Sequence, residues 1–231
     1  MKKSLLFISI LLLINSCTYP KMVRDELVYF NDFEANSLDN IDGGAISNFN
    51  NSKVIGDFNN DGFLIHLNDI GNHDYIFISF DLYIHGTWDG NKNGFSNNDK
   101  ADKWIIEFKP NMNNFGDPGN DVFETTFSNS PCFTNYCLRQ SYPDSYPKDN
   151  IPKTGHYSDN LAKKCNNNFF GGNSTLYKIE KGFRSSGSAI VISFRDELFQ
   201  PNAIDKDGIP QQKCDESWSM DNISIRAIKY E

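Results

Sequence analysis

The sequence predicts an all-β protein, an antiparallel β-sandwich. Three observations carry this. In Tyr75–Gly86, the residues Ile76, Ile78, Phe80, Leu82 and Ile84 fall at every second position, the period of a strand that buries one face. Further runs of β-branched and aromatic residues recur along the chain, separated by stretches rich in Asn, Asp and Gly. Little of the sequence shows the spacing of an amphipathic helix, so two facing sheets are the architecture that buries these faces.

In chain order, residues 1–16 carry Lys2 and Lys3, then an apolar run from Leu5 to Ile14, and end before Cys17. That run is short for a permanent span and matches the charged and apolar regions of an export signal. Residues 17–26 read as a tether, and 27–231 as one domain. Val28–Glu34 is the first candidate strand, 47–60 is polar and turn-rich, and Phe63–Leu67 is the next strand. The long strand at 75–86 runs into a loop dense in Asp and Asn, beyond which Trp104–Phe108 resumes β character. Val122–Phe127 follows. Ser128–Gly172 is too long for an ordinary connection and reads as a surface excursion, with one helical turn expected at Leu161–Lys164. Leu176–Phe183 and Ala189–Phe194 return to strand. Met220–Tyr230 closes the sandwich, with Ile223, Ile225 and Ala227 on one face.

The ending Ile-Asn-Ser-Cys17 resembles a bacterial lipobox, in which the cysteine is lipidated and begins the mature chain. Buried acyl methylenes, at about 0.8 kcal/mol each, would then hold the protein on a membrane. A cleaved secretory signal with an ordinary cysteine is the alternative. Thr18, rather than an acid, follows the cysteine, which favours the outer membrane if the cell has two. The net charge is −8, and loss of Lys2 and Lys3 makes it more negative still. Such a balance argues against a nucleic-acid partner, whose phosphates need a basic face.

Cys132, Cys137, Cys165 and Cys214 remain after Cys17. An even number in an exported chain suggests two disulfides, for which three connectivities exist. Cys132–Cys137, closing a short loop, and Cys165–Cys214, tying the excursion to the entry of the last strand, are favoured; free buried thiols are the alternative. None of these cysteines has the spacing of a zinc knuckle or a dithiol redox site.

Several pieces taken together resemble a group of bacterial exported lipoproteins with a concanavalin A-like or laminin G-like jelly-roll domain. They are FNDFE near the start, SFDLYIHGTWDGN in the middle, TTFSN followed by QSYP, and DESWSMDNISI at the end. The resemblance spans nearly all of the chain beyond the export segment. It implies two curved antiparallel sheets with the first and last strands adjacent. It also implies a structural Ca²⁺ held by an acid near the first strand and another near the last, for which Glu34 and Asp221 are the matching positions. It implies fold far more than activity.

Read from the residues themselves, Asp89-Gly-Asn-Lys-Asn-Gly94 fits the first half of the calcium-loop pattern, and Asp57-Phe-Asn-Asn-Asp-Gly62 does so too. Ca²⁺ takes about six to eight hard oxygens, and alternate side chains of a tight loop can converge on it. Asp89, Asn91 and Asn93, completed by Asp99 or Asp102, form the first candidate set, and Asp57, Asn59 and Asp61 the second. Lys100 and Asn68 stand where the closing glutamate would be, so neither loop is an EF-hand. The competing reading is that Asn, Asp and Gly simply make turns.

Trp88, beside the first loop, could stack on the apolar face of a sugar or could anchor the loop by packing. Tyr142 and Tyr146 are further aromatic candidates for a ligand, whereas Trp104 and Trp218 suit the core. His66 and His85 suit packed or rim positions. Glycosidases need two carboxyls, roughly 5 Å apart in retaining enzymes. The ExDxE-type strand that supplies them in concanavalin A-like hydrolases is not found, and Asp215-Glu216 places neighbouring acids on opposite faces of a strand. The expectation is an outward-facing lipoprotein that binds a glycan or a protein partner without catalysis and is stabilised by Ca²⁺. The competing classes are a structural subunit of an outer-membrane assembly and, third, a glycoside hydrolase.

Overall fold

The computed structural model describes residues 19–92, 100–110, 119–165, 172–200, 203–204, 207–210 and 212–231. The export segment with Cys17, and the candidate ligands Asn93 and Asp99, lie outside the described residues. In chain order the strands are β1 (Met22–Asn31), β2 (Ile41–Asp42), β3 (Ile46–Phe49), β4 (Ser52–Phe58), β5 (Gly62–Leu67), β6 (Tyr75–Gly86), β7 (Lys103–Pro110), β8 (Asp121–Thr126), β9 (Ser158–Leu161), β10 (Ser174–Arg184) and β11 (Ile190–Glu197). A single helical turn, α1 (Gln212–Asp215), then leads into β12 (Glu216–Tyr230).

The strands form two antiparallel sheets packed as a sandwich of jelly-roll type. The seven-stranded sheet runs β3-β4-β12-β6-β10-β9, with β1 paired to the far half of β12. The five-stranded sheet runs β2-β5-β11-β7-β8. First and last strands are therefore neighbours, with Tyr29 opposite Ile225 and Asn31 opposite Ile223. The inward residues of β6 are the alternating set from Ile76 to Ile84, and all join the main core. Facing them are Ile106, Phe108, Ile190, Ile192 and Phe194 from β7 and β11.

At one end the core is aromatic. Trp104 meets Trp218 edge to face at 5.9 Å, and Phe194 packs on Phe80 at 5.6 Å. Such pairs contribute about 0.5–1.5 kcal/mol beyond the area they bury.

β12 changes phase along its length. Trp218 and Met220 face inward at even positions, and Ile223, Ile225 and Ala227 at odd ones. A bulge between Asp221 and Ser224 absorbs the extra residue, and Asn222 takes the left-handed conformation there, with φ of 52°. Asparagine tolerates that region better than β-branched residues do.

Both favoured disulfides are formed, Cys132–Cys137 and Cys165–Cys214. Other expectations need correction. Strand β1 begins at Met22, inside the segment read as a tether, because β12 offers partners as far as Tyr230. The polar stretch 47–60 holds most of β3 and all of β4, and its apolar residues Phe49, Val54, Ile55 and Phe58 are buried. The helical turn expected at Leu161–Lys164 is absent. Ser158–Leu161 instead adds β9 to the edge of β10, where backbone pairing outweighs weak local helix preference.

Candidate functional site

Two features stand out among the described residues: a largely buried cluster of acids at one end of the sandwich, and an open trough on the outer face of the seven-stranded sheet.

The acids are gathered by the exit from β6. Gly86 has φ of 83°, and a Cβ there would lie 1.8 Å from the carbonyl oxygen of Asp215. Only glycine lets the two backbones come so close. Thr87 then donates its N–H to that carbonyl at 2.7 Å, and the Trp88 indole N–H donates to the Ser217 carbonyl at 3.0 Å. The segment 86–89 is thus laced to the start of β12. The loop returns when Asp102 donates its N–H to the Gly90 carbonyl at 2.9 Å, while its Oδ2 accepts the N–H of Asp89 at 3.0 Å. Its Oδ1 accepts the N–H of Phe199 at 3.0 Å.

Glu216 completes the cluster. It shares the inward face of β12 with Trp218 and Met220, so its carboxylate is directed into the sandwich rather than to solvent. One carboxylate oxygen each from Asp89, Asp102 and Glu216 lie within 4.8 Å of one another. Asp102 is fully buried and Glu216 is 3% exposed. The Oε2 of Glu216 is buried without a hydrogen-bond partner.

Burial pushes the Glu216 carboxyl well above the usual range, and the negative charges of Asp102, Asp215, Asp89 and Asp196 push it further. Burial likewise raises Asp102 against the pull of its two backbone donors. Oxygens only, in a water-poor setting with a net excess of negative charge, suit a hard divalent cation and exclude a thiolate- or imidazole-rich metal site.

The trough lies across β10, β6 and β12, on the face opposite the core. Register sets its rows. Lys178, Asp81 and Asp221 are aligned, as are Glu180, Ser79 and Ser224, and then Gly182, Phe77 and Arg226. Gly182 is where the Phe77 ring lies, since a Cβ there would meet the ring carbons at 3.0 Å. Lys178 Nζ donates to both oxygens of Asp81, at 2.7 and 2.9 Å, and Asn222 Nδ2 donates to Oδ2 at 3.1 Å. Arg226 Nε donates to Asp25 Oδ1 at 2.7 Å. Met22, Asp25, Phe77, Ser79, Glu180 and Arg226 line a hollow of about 220 Å³. A second hollow, of about 310 Å³ and lined by Asp81, Lys178 and Asn222, continues it and shares Ser79 and Glu180.

The upper part of the same face is closed. Phe49, Val54, Tyr83 and Leu176 form a second small core there, with Leu161 packed on it. Beneath it His85 is fully buried, its Nδ1 2.8 Å from Ser174 Oγ and its Nε2 2.7 Å from Ser219 Oγ. Phe49 packs edge-on against the ring at 4.5 Å. Burial, with a smaller contribution from Lys164, lowers its pKa to about 3, so the imidazole is neutral and uses one nitrogen as donor and the other as acceptor. It is a packed residue, in keeping with its expected role.

The remaining candidate residues divide. Glu34 and Asp221 do meet: the Ser52 hydroxyl is 2.9 Å from an oxygen of each. Glu34 is solvent-exposed, and the Lys53 backbone N–H, then Ser52, hold its carboxyl below the usual range. Asp221 is buried and raised. In the first loop, Asp89 and Asp102 converge but Asn91 does not join them. Its Nδ2 donates to the Lys148 carbonyl at 2.5 Å and its Oδ1 accepts from Ser141 Oγ at 2.8 Å, so it locks the excursion instead. The second loop is likewise dispersed: Asp57 pairs with Lys164 at 2.7 Å, and Asn59 Nδ2 donates to the Glu216 carbonyl at 2.8 Å.

Trp88 has no exposed surface and cannot be a sugar platform; its indole anchors the loop by packing on Phe127 and bonding to Ser217. Tyr142 is 7% exposed, wedged between Phe127 and Tyr177. Tyr146 alone of the three retains some exposure, and Lys103 Nζ sits 5.1 Å from its ring centre. Glu216 enters the sequence reading only beside Asp215 as a dismissed catalytic pair, and the trough residues Phe77, Asp81, Asn222 and Arg226 do not enter it as candidates. Their signal was available in the alternation, because Phe77 and Asp81 hold the outward positions of β6, and Glu216 is in phase with Trp218.

No family model matches the chain, and no curated protein does. Among solved structures it is similar to a non-crystalline cellulose specific carbohydrate-binding module, CBM28, at 15% identity, with 87% of this chain and 92% of that one covered and a TM-score of 0.32. So loose a likeness carries no argument about function, and the sheet order itself establishes the fold.

Proposed function

We propose that this protein is a non-catalytic binding module that holds a glycan along the trough of its seven-stranded sheet, tethered at the outer surface of the cell envelope by a lipid on Cys17. The observation that carries the reading is the composition of that open face. Phe77 offers a flat apolar surface of the kind that matches the C–H face of a pyranose. Around it, Ser79, Glu180, Asn222, Asp81 and Lys178 present donors and acceptors on both sides, the arrangement that orients a polar ligand. Two of the trough's acids face cations, Asp81 against Lys178 and Asp25 against Arg226. This suits holding a hydroxyl-rich ligand better than protonating a leaving group. The export segment and the lipobox-like ending support the tether.

The test is glycan-array binding of wild type and Phe77→Ala. Loss of the aromatic surface should weaken binding at least about tenfold, the equivalent of 1.4 kcal/mol, with folding unchanged because Phe77 lies outside the core. Equal binding by both proteins would place the ligand elsewhere. Incorporation of labelled palmitate in an expressing bacterium, lost in Cys17→Ala, tests the tether.

One observation favours a second reading, an accessory subunit of an envelope assembly. Met22, Val23, Leu27 and Phe30 of β1 are exposed, and an unpaired strand edge can add a partner strand. Co-purification of an envelope protein, lost in Leu27→Lys, together with silence on the glycan array, would select it.

A further inference from the structure

We infer that Asp89, Asp102 and Glu216 form a built site for a hard divalent cation, Ca²⁺, that pins the exit of β6 to the entry of β12. Three carboxylate oxygens from three separate parts of the chain converge within 4.8 Å. The independent observation is Glu216 Oε2, buried and without a hydrogen-bond partner. A buried polar oxygen left unpaired costs more than an exposed one, and a bound cation removes that cost. Asp102 is already oriented by the N–H groups of Asp89 and Phe199, as second contacts orient metal ligands. Three carboxylates can give three to six oxygens, about half or more of a calcium shell, with water able to supply the rest.

This site is separate from the Glu34–Ser52–Asp221 pair, and it does not depend on the trough's ligand. All three tryptophans lie within two residues of a ligand: Trp88 beside Asp89, Trp104 after Asp102, Trp218 after Glu216. Terbium, a luminescent stand-in for calcium, would therefore be excited through tryptophan if it bound here.

The experiment uses the full chain, stripped with chelator, as wild type, Glu216→Gln, Asp102→Asn and, as control, Glu34→Gln. Calcium at about 100 times its dissociation constant should raise the wild-type melting midpoint by about 5–10 °C. Tryptophan-sensitised terbium emission should appear and be displaced by calcium. Both responses should weaken at least about tenfold in Glu216→Gln and Asp102→Asn, and persist in Glu34→Gln. In chelator, Glu216→Gln should melt no lower than wild type, because the amide keeps the size and shape of the carboxyl and adds no charge; this separates loss of a ligand from failure to fold. Three results would overturn the inference. They are no calcium response up to millimolar metal, an undiminished response in Glu216→Gln, and a response lost only in Glu34→Gln.

Discussion

Acid should weaken this protein through His85, and the size of the effect follows from the structure. In the unfolded chain the imidazole titrates near 6.5, whereas in the folded protein it is held neutral down to about 3. The lowered pKa means that the unfolded state takes up the proton first. Stability from His85 is therefore complete above about pH 6.5 and is lost as pH falls towards 3. A shift of roughly 3.5 units at 1.36 kcal/mol per unit corresponds to about 5 kcal/mol over the whole window, and to about 2 kcal/mol by pH 5. That is a large share of the ~5–15 kcal/mol that holds a typical domain together.

The raised carboxyls of Asp102, Asp196, Asp215, Glu216 and Asp221 act with the opposite sign, losing stability as pH rises. The wild-type curve alone therefore mixes the two. His85→Gln isolates the histidine, since the amide keeps one donor and one acceptor for Ser174 and Ser219 and does not titrate. Urea melts of both proteins at pH 7, 6, 5 and 4 give the comparison. The variant should be the less stable at pH 7, because it packs less well under Phe49, and the gap should narrow by about 3 kcal/mol on going to pH 4. Parallel stability curves, or an imidazole that titrates near 6 by NMR in the native protein, would refute the reasoning.

The two disulfides should differ in value. Cys165–Cys214 spans 49 residues of chain and Cys132–Cys137 only 5; replacing the first pair by serine should cost ~4 kcal/mol and the second ~2 kcal/mol in denaturant melts under oxidising conditions. Near-equal losses would show that the long bridge does little to restrict the unfolded chain. Gly86→Ala meets the Asp215 carbonyl and a left-handed backbone together, so it should lower stability by about 2–4 kcal/mol, read as an earlier thermal midpoint. An unchanged midpoint would mean the close approach of β6 and β12 is not maintained in solution.

How legible the molecule was depends on which interactions are local. The alternation from Ile76 to Ile84 reports a strand because side-chain direction in extended backbone has a period of two whatever lies opposite. Where β-forming residues are sparse, as in 47–60, the pattern failed, and β4 exists because β12 offers it a partner, as β4 in turn does for β3. Trp88 shows the limit for single side chains. An indole beside an acidic loop reads equally as platform or anchor, and Ser217, far along the chain, makes it an anchor. Asn91 and Asp89 occupy equivalent places in the loop pattern, yet the excursion takes up the first and leaves the second facing Asp102.

By itself, then, the sequence determined the all-β class, the inward and outward residues of the long strands, the even set of cysteines and the negative net charge. These follow from backbone periodicity and composition, which act over a few residues. The tertiary structure alone decided that Glu216 joins Asp89 and Asp102, that Glu34 meets Asp221 at Ser52, and that Phe77, Asp81, Asn222 and Arg226 share one open face. Each depends on strand pairing across long separations, where the gain comes from burial and register that no local pattern encodes.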